Sequence, residues 1–257
     1  MDVTDYQTVR VTVDGRVWRM RLDRPEARNA IDDRLLDECL EVLDQCAESA
    51  AVVVLEGGAE YFCFGADFER AGAAAVTEQD VRGRADKLYE LFLRLANGPY
   101  VSVAHVRGVA NAGGVGLVAA CDVVIADDTA RFSLSELLFG LYPACVLPFL
   151  ARRCGTHNAN YLALTTTPVD ARDAMRLHLV DAIGPDSTAV VDKHLVRLRR
   201  LPKDGVVRYK RYAQRLDDAL ERARAIAVDG NAEVFTDPVN LERIRRYVER
   251  GVPPWER

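Results

Sequence analysis

Apolar and polar residues alternate with period two along "QTVRVTV" (Gln7 to Val13) and again along "RVWRMRL" (Arg16 to Leu22), the pattern of half-buried strands. Asp14-Gly15 lies between them and is suited to a tight primed turn, so the chain is predicted to open as a β-hairpin. From about Asp33 to Ala47 the period changes: Leu35, Leu36, Leu40, Val42 and Leu43 recur at helical spacing, and "AVVVLEG" then reads as a buried strand. A glycine-containing loop "GGAEYFCFGADF", a helix near Val81 to Leu95, a strand "YVSVAHV", the small-residue stretch "NAGGVGLVAACD" and a strand "VVIAD" follow. This β–α alternation predicts a layered α/β fold. Beyond about Ser187 no strand pattern recurs, and the segment to Ala227 reads as helices broken near Pro202 and Gly205.

Bulk properties narrow the function classes. The chain has 257 residues, 49% hydrophobic and 28% charged, with a net charge of −5, as expected for one large α/β domain or a core domain with a helical extension. The acidic balance disfavours nucleic acid. Six cysteines show no C-x-x-C spacing and no histidines at metal-ligand intervals, which predicts free thiols, a reducing cytosol and no bound metal. The acidic start and the interruption of the longest apolar run by Asp122 predict neither a secretion signal nor a membrane span. A cytoplasmic location is therefore expected.

The stretch from Asn111 to Asp122 places two glycines where a helix begins. The first N–H groups of a helix have no partner inside it and lie at the positive end of its dipole, so an oxygen can bind there if no side chain intervenes. Close packing of the helix on a sheet would use the same glycines and alanines. A second loop, "CFGADF" (Cys63 to Phe68), follows a buried strand and offers another backbone donor, and two such donors make an oxyanion hole.

These two loops, with "RPEARNAI" upstream and "FSLSELLFGLYP" downstream, resemble the crotonase family, also called the enoyl-CoA hydratase/isomerase superfamily, in combination and in order from Tyr6 to Trp255. The longer run "FSLSELLFGLYPACVLPFLARR" and the ending "IRRYVERGVPPWE" look like the dehydratase of polyketide β-branching cassettes. The resemblance implies a spiral of ββα units over residues 1–186, with a helical region over 187–257 that covers the active site and builds trimers or hexamers. It also implies cofactor-independent dehydration of a 3-hydroxy-3-methylglutaryl thioester carried on the phosphopantetheine of an acyl carrier protein. Alternatives are decarboxylation of the 3-methylglutaconyl product, general enoyl-CoA hydratase or isomerase chemistry, or a catalytically silent interaction protein.

The implied oxyanion donors are the backbone N–H groups of Ala66 and Gly113. Hydratases of the family use two glutamates. The first of these positions is Gly116 here and the second is Glu136, which is implied to be the catalytic base. Ser133 and Glu136 equally fit the S-x-x-E spacing of a helix capping box. Asp67 is a second acidic candidate or a cap, and Asn111 is a candidate for bonding the leaving hydroxyl or a substrate carboxylate, or else a satisfied buried amide. His105 reads as a packed histidine and Tyr142 as core or pocket wall. Between Lys193 and Arg224 eleven Lys or Arg face four Asp or Glu. This basic segment is either a solvated face or a contact for an acidic carrier or its phosphate, with Arg199, Arg200, Lys210 and Arg211 as the candidate contacts.

Overall fold

The computed structural model describes residues 2–3, 6–68 and 77–256. Strands β1 (Asp2–Val3), β2 (Val9–Asp14) and β3 (Val17–Leu22) form an antiparallel entry, and β4 (Val52–Glu56) then pairs parallel to β3. The hairpin turn is Gly15-Arg16 rather than Asp14-Gly15, because Asp14 pairs with Val17. Gly15, at φ +59°, takes the first central position, where a II′ turn requires a positive φ.

From β4 onward the strands go in turn to a large sheet and to a small one, until the last two, of which the first joins the small sheet and the second the large. The strands β4, β6 (Val101–Val106), β8 (Val123–Ala126) and β11 (Ala182–Ile183) extend the large sheet in the order β1-β2-β3-β4-β6-β8-β11. The strands β5 (Tyr61–Cys63), β7 (Val109–Asn111), β9 (Arg131–Ser133) and β10 (Val169–Asp170) form the small sheet, in the order β10-β9-β7-β5. Helix α1 (Asp33–Ser49) precedes β4, α2 (Glu78–Asn97) follows β5, and α3 (Gly113–Ala120) follows β7. The alternation is the spiral of ββα units expected from the resemblance.

The uninterrupted apolar run of β4 has a direct cause. Val53 and Leu55 join the main core with Leu36, Leu43 and Phe92, while Val52 and Val54 face Val191 and Leu195 of the helix over Ser187–Leu198. Both faces of the sheet are covered, so neither set of alternate side chains is polar. The first helix after Ser187 is thus a layer on the sheet. The predicted break at Pro202 is present, but Gly205 lies inside the next helix, Lys203–Leu216. The second break falls at Asp217-Asp218 instead, between that helix and the one over Ala219–Thr236. The last helix, Pro238–Arg250, opens with the Asp237 side chain accepting from Val239 and Asn240 and ends at Gly251 in the left-handed region. No helix among the described residues is long and apolar enough to cross a membrane.

Candidate active site

A cavity of about 1080 Å³ opens where the loop after β5, the start of α3, the segment after β9 and the last two helices meet; Ala66, Gly113, Glu136, Phe235, Ile244 and Tyr247 are among the residues lining it. Its backbone wall follows from two hydrogen bonds. Ile31 N–H donates to Gly65 O (2.7 Å) and Asp67 N–H donates to Ile31 O (3.1 Å), a parallel bridge that uses the residues on either side of Ala66 and turns the Ala66 N–H away from Ile31. Gly65 stands at φ +91°, and a Cβ there would lie 2.8 Å from the Ala112 Cβ and 3.4 Å from the Gly113 nitrogen. Only glycine lets the two loops come this close.

Ala112 itself carries strain, at φ 50° and ψ −118° as the residue preceding α3. It is anchored by its N–H donating to Ser133 O at 2.9 Å, and this geometry presents Gly113 as the first helical N–H. Neither the Ala66 nor the Gly113 N–H donates to an acceptor among the described residues. Gly114 answers the packing reading of the same stretch, since a Cβ there would sit 2.2 Å from Cys63 O. Approach and packing are divided between adjacent glycines.

Glu136 is the first residue of a short 3₁₀ turn, Glu136–Phe139, which closes at Gly140 in the left-handed region. The capping-box reading fails here. Ser133 is the last residue of β9, its hydroxyl donates to Asn111 Oδ1 (2.7 Å), and the turn has no side-chain cap. The Glu136 side chain is buried, its Oε2 has no hydrogen-bond partner among the described residues, and burial pushes its pKa up to about 7.

Asp67 lines the same cavity but is held otherwise. Its Oδ2 lies 3.1 Å from Arg24 Nη2, which is equally close to Asp32, and all three side chains are at most 11% exposed. Arg24 also donates to Ala30 O. Asp67 is therefore a member of a buried ion cluster that ties its loop to the "RPEARNAI" segment. Asn111 also lines the cavity, and its amide is satisfied internally, the second of its two sequence readings: its Nδ2 donates to Phe64 O (3.3 Å) and Ser135 Oγ (3.1 Å) while its Oδ1 accepts from Ser133.

Gly116 does not line the cavity. A Cβ there would fall 2.4 Å from Phe92 Cζ and 3.1 Å from Val146 Cγ2, so packed rings and methyls occupy the direction in which a second carboxylate would extend. His105 is buried away from the cavity between Glu56 (3.0 Å) and Ser187 (2.8 Å). Tyr142 lines the cavity and its hydroxyl donates to Glu233 (2.9 Å).

One candidate contact of the basic segment is also corrected. Lys210 is buried, with Nζ 2.6 Å from Asp122 Oδ2 and 2.7 Å from Ala96 O, an internal ion pair and no contact for a carrier. Arg199 pairs with Asp14 at 2.5 Å, and nearby Lys203 donates to Ala47 O in the last turn of α1. Because Asp33 and Arg34 in the first turn of α1 line the cavity, a helix of about 25 Å separates the cavity from Arg199 and Arg200. Arg211 is exposed on the same helix as Lys210. Among the described residues the arginines at the cavity itself are Arg34, Arg84 and Arg245. Arg84 pairs with Asp33 and Arg245 with Glu242, each at 2.7 Å. Sequence reasoning missed Arg24 as the anchor of Asp67, although it lies in a motif already singled out. It also missed Ala112, because no sequence signal marks a positive φ at a non-glycine residue.

Among the described residues no three His, Cys, Asp or Glu side chains converge as a metal site. All six cysteines are unpaired and buried, and burial raises the Cys63 thiol to about 12, which leaves it without thiolate character.

The family profile described as enoyl-CoA hydratase/isomerase matches residues 12–257. The chain is 49% identical over 262 aligned positions to the bacillaene synthase dehydratase PksH of Bacillus subtilis, covering 100% of this chain and 99% of the relative. The crystal structure of PksH, a polyketide biosynthesis enoyl-CoA hydratase, superposes with a TM-score of 0.90 over 96% of this chain and 99% of that one. An enoyl-CoA hydratase from Mycobacterium avium, 26% identical, gives a TM-score of 0.84 over 97% of this chain and 99% of that one.

Proposed function

The chain belongs to the enoyl-CoA hydratase/isomerase family, as an enoyl-CoA hydratase-like dehydratase, and we propose that it converts a carrier-bound 3-hydroxy-3-methylglutaryl thioester to the 3-methylglutaconyl thioester in polyketide β-branching. The name of its full-length relative supports a dehydratase in a polyketide synthase pathway. The narrower assignment rests on the site. The observation that carries it is one buried carboxyl, Glu136, with an oxygen unpartnered among the described residues, in a cavity that also holds two free backbone donors, while Asp67, another carboxylate of its lining, is bound to Arg24.

In this reading the thioester oxygen sits between the Ala66 and Gly113 N–H groups. Glu136 takes the α-proton, and the electron pair of the C–H bond becomes the enolate, whose charge the two donors stabilise; each such donor contributes about 2.7–4 kcal/mol in comparable sites. The enolate then re-forms the carbonyl, the double bond forms, and the β C–O bond breaks. Glu136 returns its proton to the departing oxygen, which leaves as water, so the base ends the cycle ionised and no cofactor is consumed. A carboxyl with a pKa near 7 suits both halves of that exchange. Addition of water to an unsaturated thioester would need the water fixed beside the β-carbon, which two carboxylates do better than one. Elimination brings its oxygen already attached, so loss of the carboxylate at Gly116 is tolerable in this direction, and the product should be that of syn elimination.

The proposed partners are an acyl carrier protein, which presents the substrate on its phosphopantetheine arm, and further copies of this chain in a trimer or hexamer. Mass spectrometry of carrier-bound 3-hydroxy-3-methylglutaryl and 3-methylglutaconyl thioesters after incubation tests the reading. Loss of one water from the first supports it. Loss of carbon dioxide from the second would assign the decarboxylase role, and no change in either would make the protein a silent family member.

A further inference from the structure

The hydrogen bonds around Asn111 leave one hydroxyl proton unassigned. Phe64 O can only accept, so the atom of Asn111 facing it at 3.3 Å is Nδ2, which fixes the orientation of the amide. The second Nδ2 hydrogen then meets Ser135 Oγ at 3.1 Å, and Oδ1 accepts from Ser133 Oγ at 2.7 Å. Ser135 is therefore an acceptor toward Asn111. Its own O–H donates to no atom among the described residues, although Ser135 lines the cavity immediately before Glu136. Ser133, by contrast, spends its proton on Asn111.

We propose that the Ser135 hydroxyl donates to the departing β-oxygen of the substrate, and that Asn111 is the positioning residue that aims it. The inference rests on the dehydration reading. The thioester oxygen already has its two donors in Ala66 and Gly113. The β-oxygen must lie within reach of Glu136 to receive its proton, and a donor on the adjacent residue is placed to occupy that oxygen's other lone pair. As the C–O bond lengthens, negative charge grows on this oxygen, so a donor there is worth more in the transition state than in the bound substrate. Ser135 keeps its proton throughout. Glu136 supplies the one that leaves with the water.

The test uses the full chain carrying Glu136→Gln, which halts turnover, and measures by calorimetry its affinity for two pantetheine thioesters, 3-hydroxy-3-methylglutaryl and 3-methylglutaryl. Adding Ser135→Ala should weaken the first by roughly three- to tenfold, the range of one neutral hydrogen bond, and leave the second unchanged. Ser135→Thr should restore the discrimination, and Asn111→Ala should reproduce part of the selective loss. In the otherwise wild-type chain Ser135→Ala should lower kcat more than it alters KM.

Equal weakening of both thioesters would overturn the proposal, since Ser135 would then be holding the distal carboxylate or the shape of the site. Unchanged affinity for both, or no binding of either, would also overturn it. Selective binding of the hydroxylated thioester by a wild-type protein that releases no water would instead sink the dehydration reading while leaving the hydroxyl contact in place.

Discussion

The loop carrying Asp67 and the segment carrying Glu136 border one cavity, yet they treat a carboxylate in opposite ways. The first brings in Arg24, buried and shared with Asp32, which ties Asp67 and its loop in place. In the second Glu136 is buried in the same cavity lining as the buried Phe139 and Leu141, and no cation among the described residues pairs with it. A carboxylate paired with a guanidinium is poorly placed to accept a proton, because its lone pairs and its charge are both engaged. One held in apolar surroundings is destabilised in its charged form and takes a proton readily near neutral pH. In the proposed reading this difference gives Asp67 a positioning role and Glu136 the proton transfer.

The strongest way to break this comparison is Glu136→Gln, which keeps the shape and removes the titrating group. Turnover should fall by about 10³-fold or more, in line with the loss of a sole general base, and stopped assays of product formation would measure it. Stability should move the other way. The folded pKa of Glu136 is raised to about 7 from 4.5, so its contribution is fully present below pH 4.5 and is lost as pH rises through 7. The wild type should thus lose about 3 kcal/mol relative to the glutamine variant between those limits, measurable by urea unfolding at several pH values. A constant difference across that range would mean that the carboxyl titrates normally.

Next in size is Gly116→Glu, which would add back the carboxylate that hydratases of the family carry. With Phe92 and Val146 filling the space, the variant should be destabilised by about 3 kcal/mol or more, as expected for an unpaired charge forced into a core, and should gain no hydration of crotonyl-CoA. A stable variant that hydrates it would show that the two sides of the site differ only by this residue. Asp67→Asn should cost about 1–3 kcal/mol by urea unfolding, because Arg24 loses one of two carboxylates. The dependence of activity on pH should remain where it was. The smallest effect concerns the carrier. Reversing Arg199, Arg200 and Arg211 should change its KM less than reversing Arg34, since of these four Arg34 alone lines the cavity, and added salt should narrow the gap.

Much of this architecture was legible in the chain because burial on both faces of a sheet leaves a continuous apolar run, as at Val52 to Leu55, and helical burial leaves the spacing of Leu35, Leu36, Val42 and Leu43. The two glycine loops and Glu136 were legible as a combination, in fixed order, where each alone had an ordinary structural explanation. What stayed hidden depended on contacts between distant segments. The pairing of Arg24 with Asp67 spans 43 positions, and the burial of Lys210 against Asp122 spans 88, so a count of basic residues could not tell a surface cation from an internal one. The positive φ of Ala112 has no signature in composition, because the strain is set by its neighbours. The Gly15-Arg16 turn was displaced by one residue from the dipeptide that suggested it, a shift that pairing across the hairpin decides.

The most direct test is the pH dependence of kcat/KM for dehydration of the carrier-bound 3-hydroxy-3-methylglutaryl thioester. A single base that must be ionised to begin the cycle predicts a rate that rises with pH and levels off above an apparent pKa of about 7, with the same midpoint in Asp67→Asn and no such rise in Glu136→Gln. A midpoint near 4, or one that shifts when Asp67 is changed, would contradict the assignment of the proton transfer to Glu136.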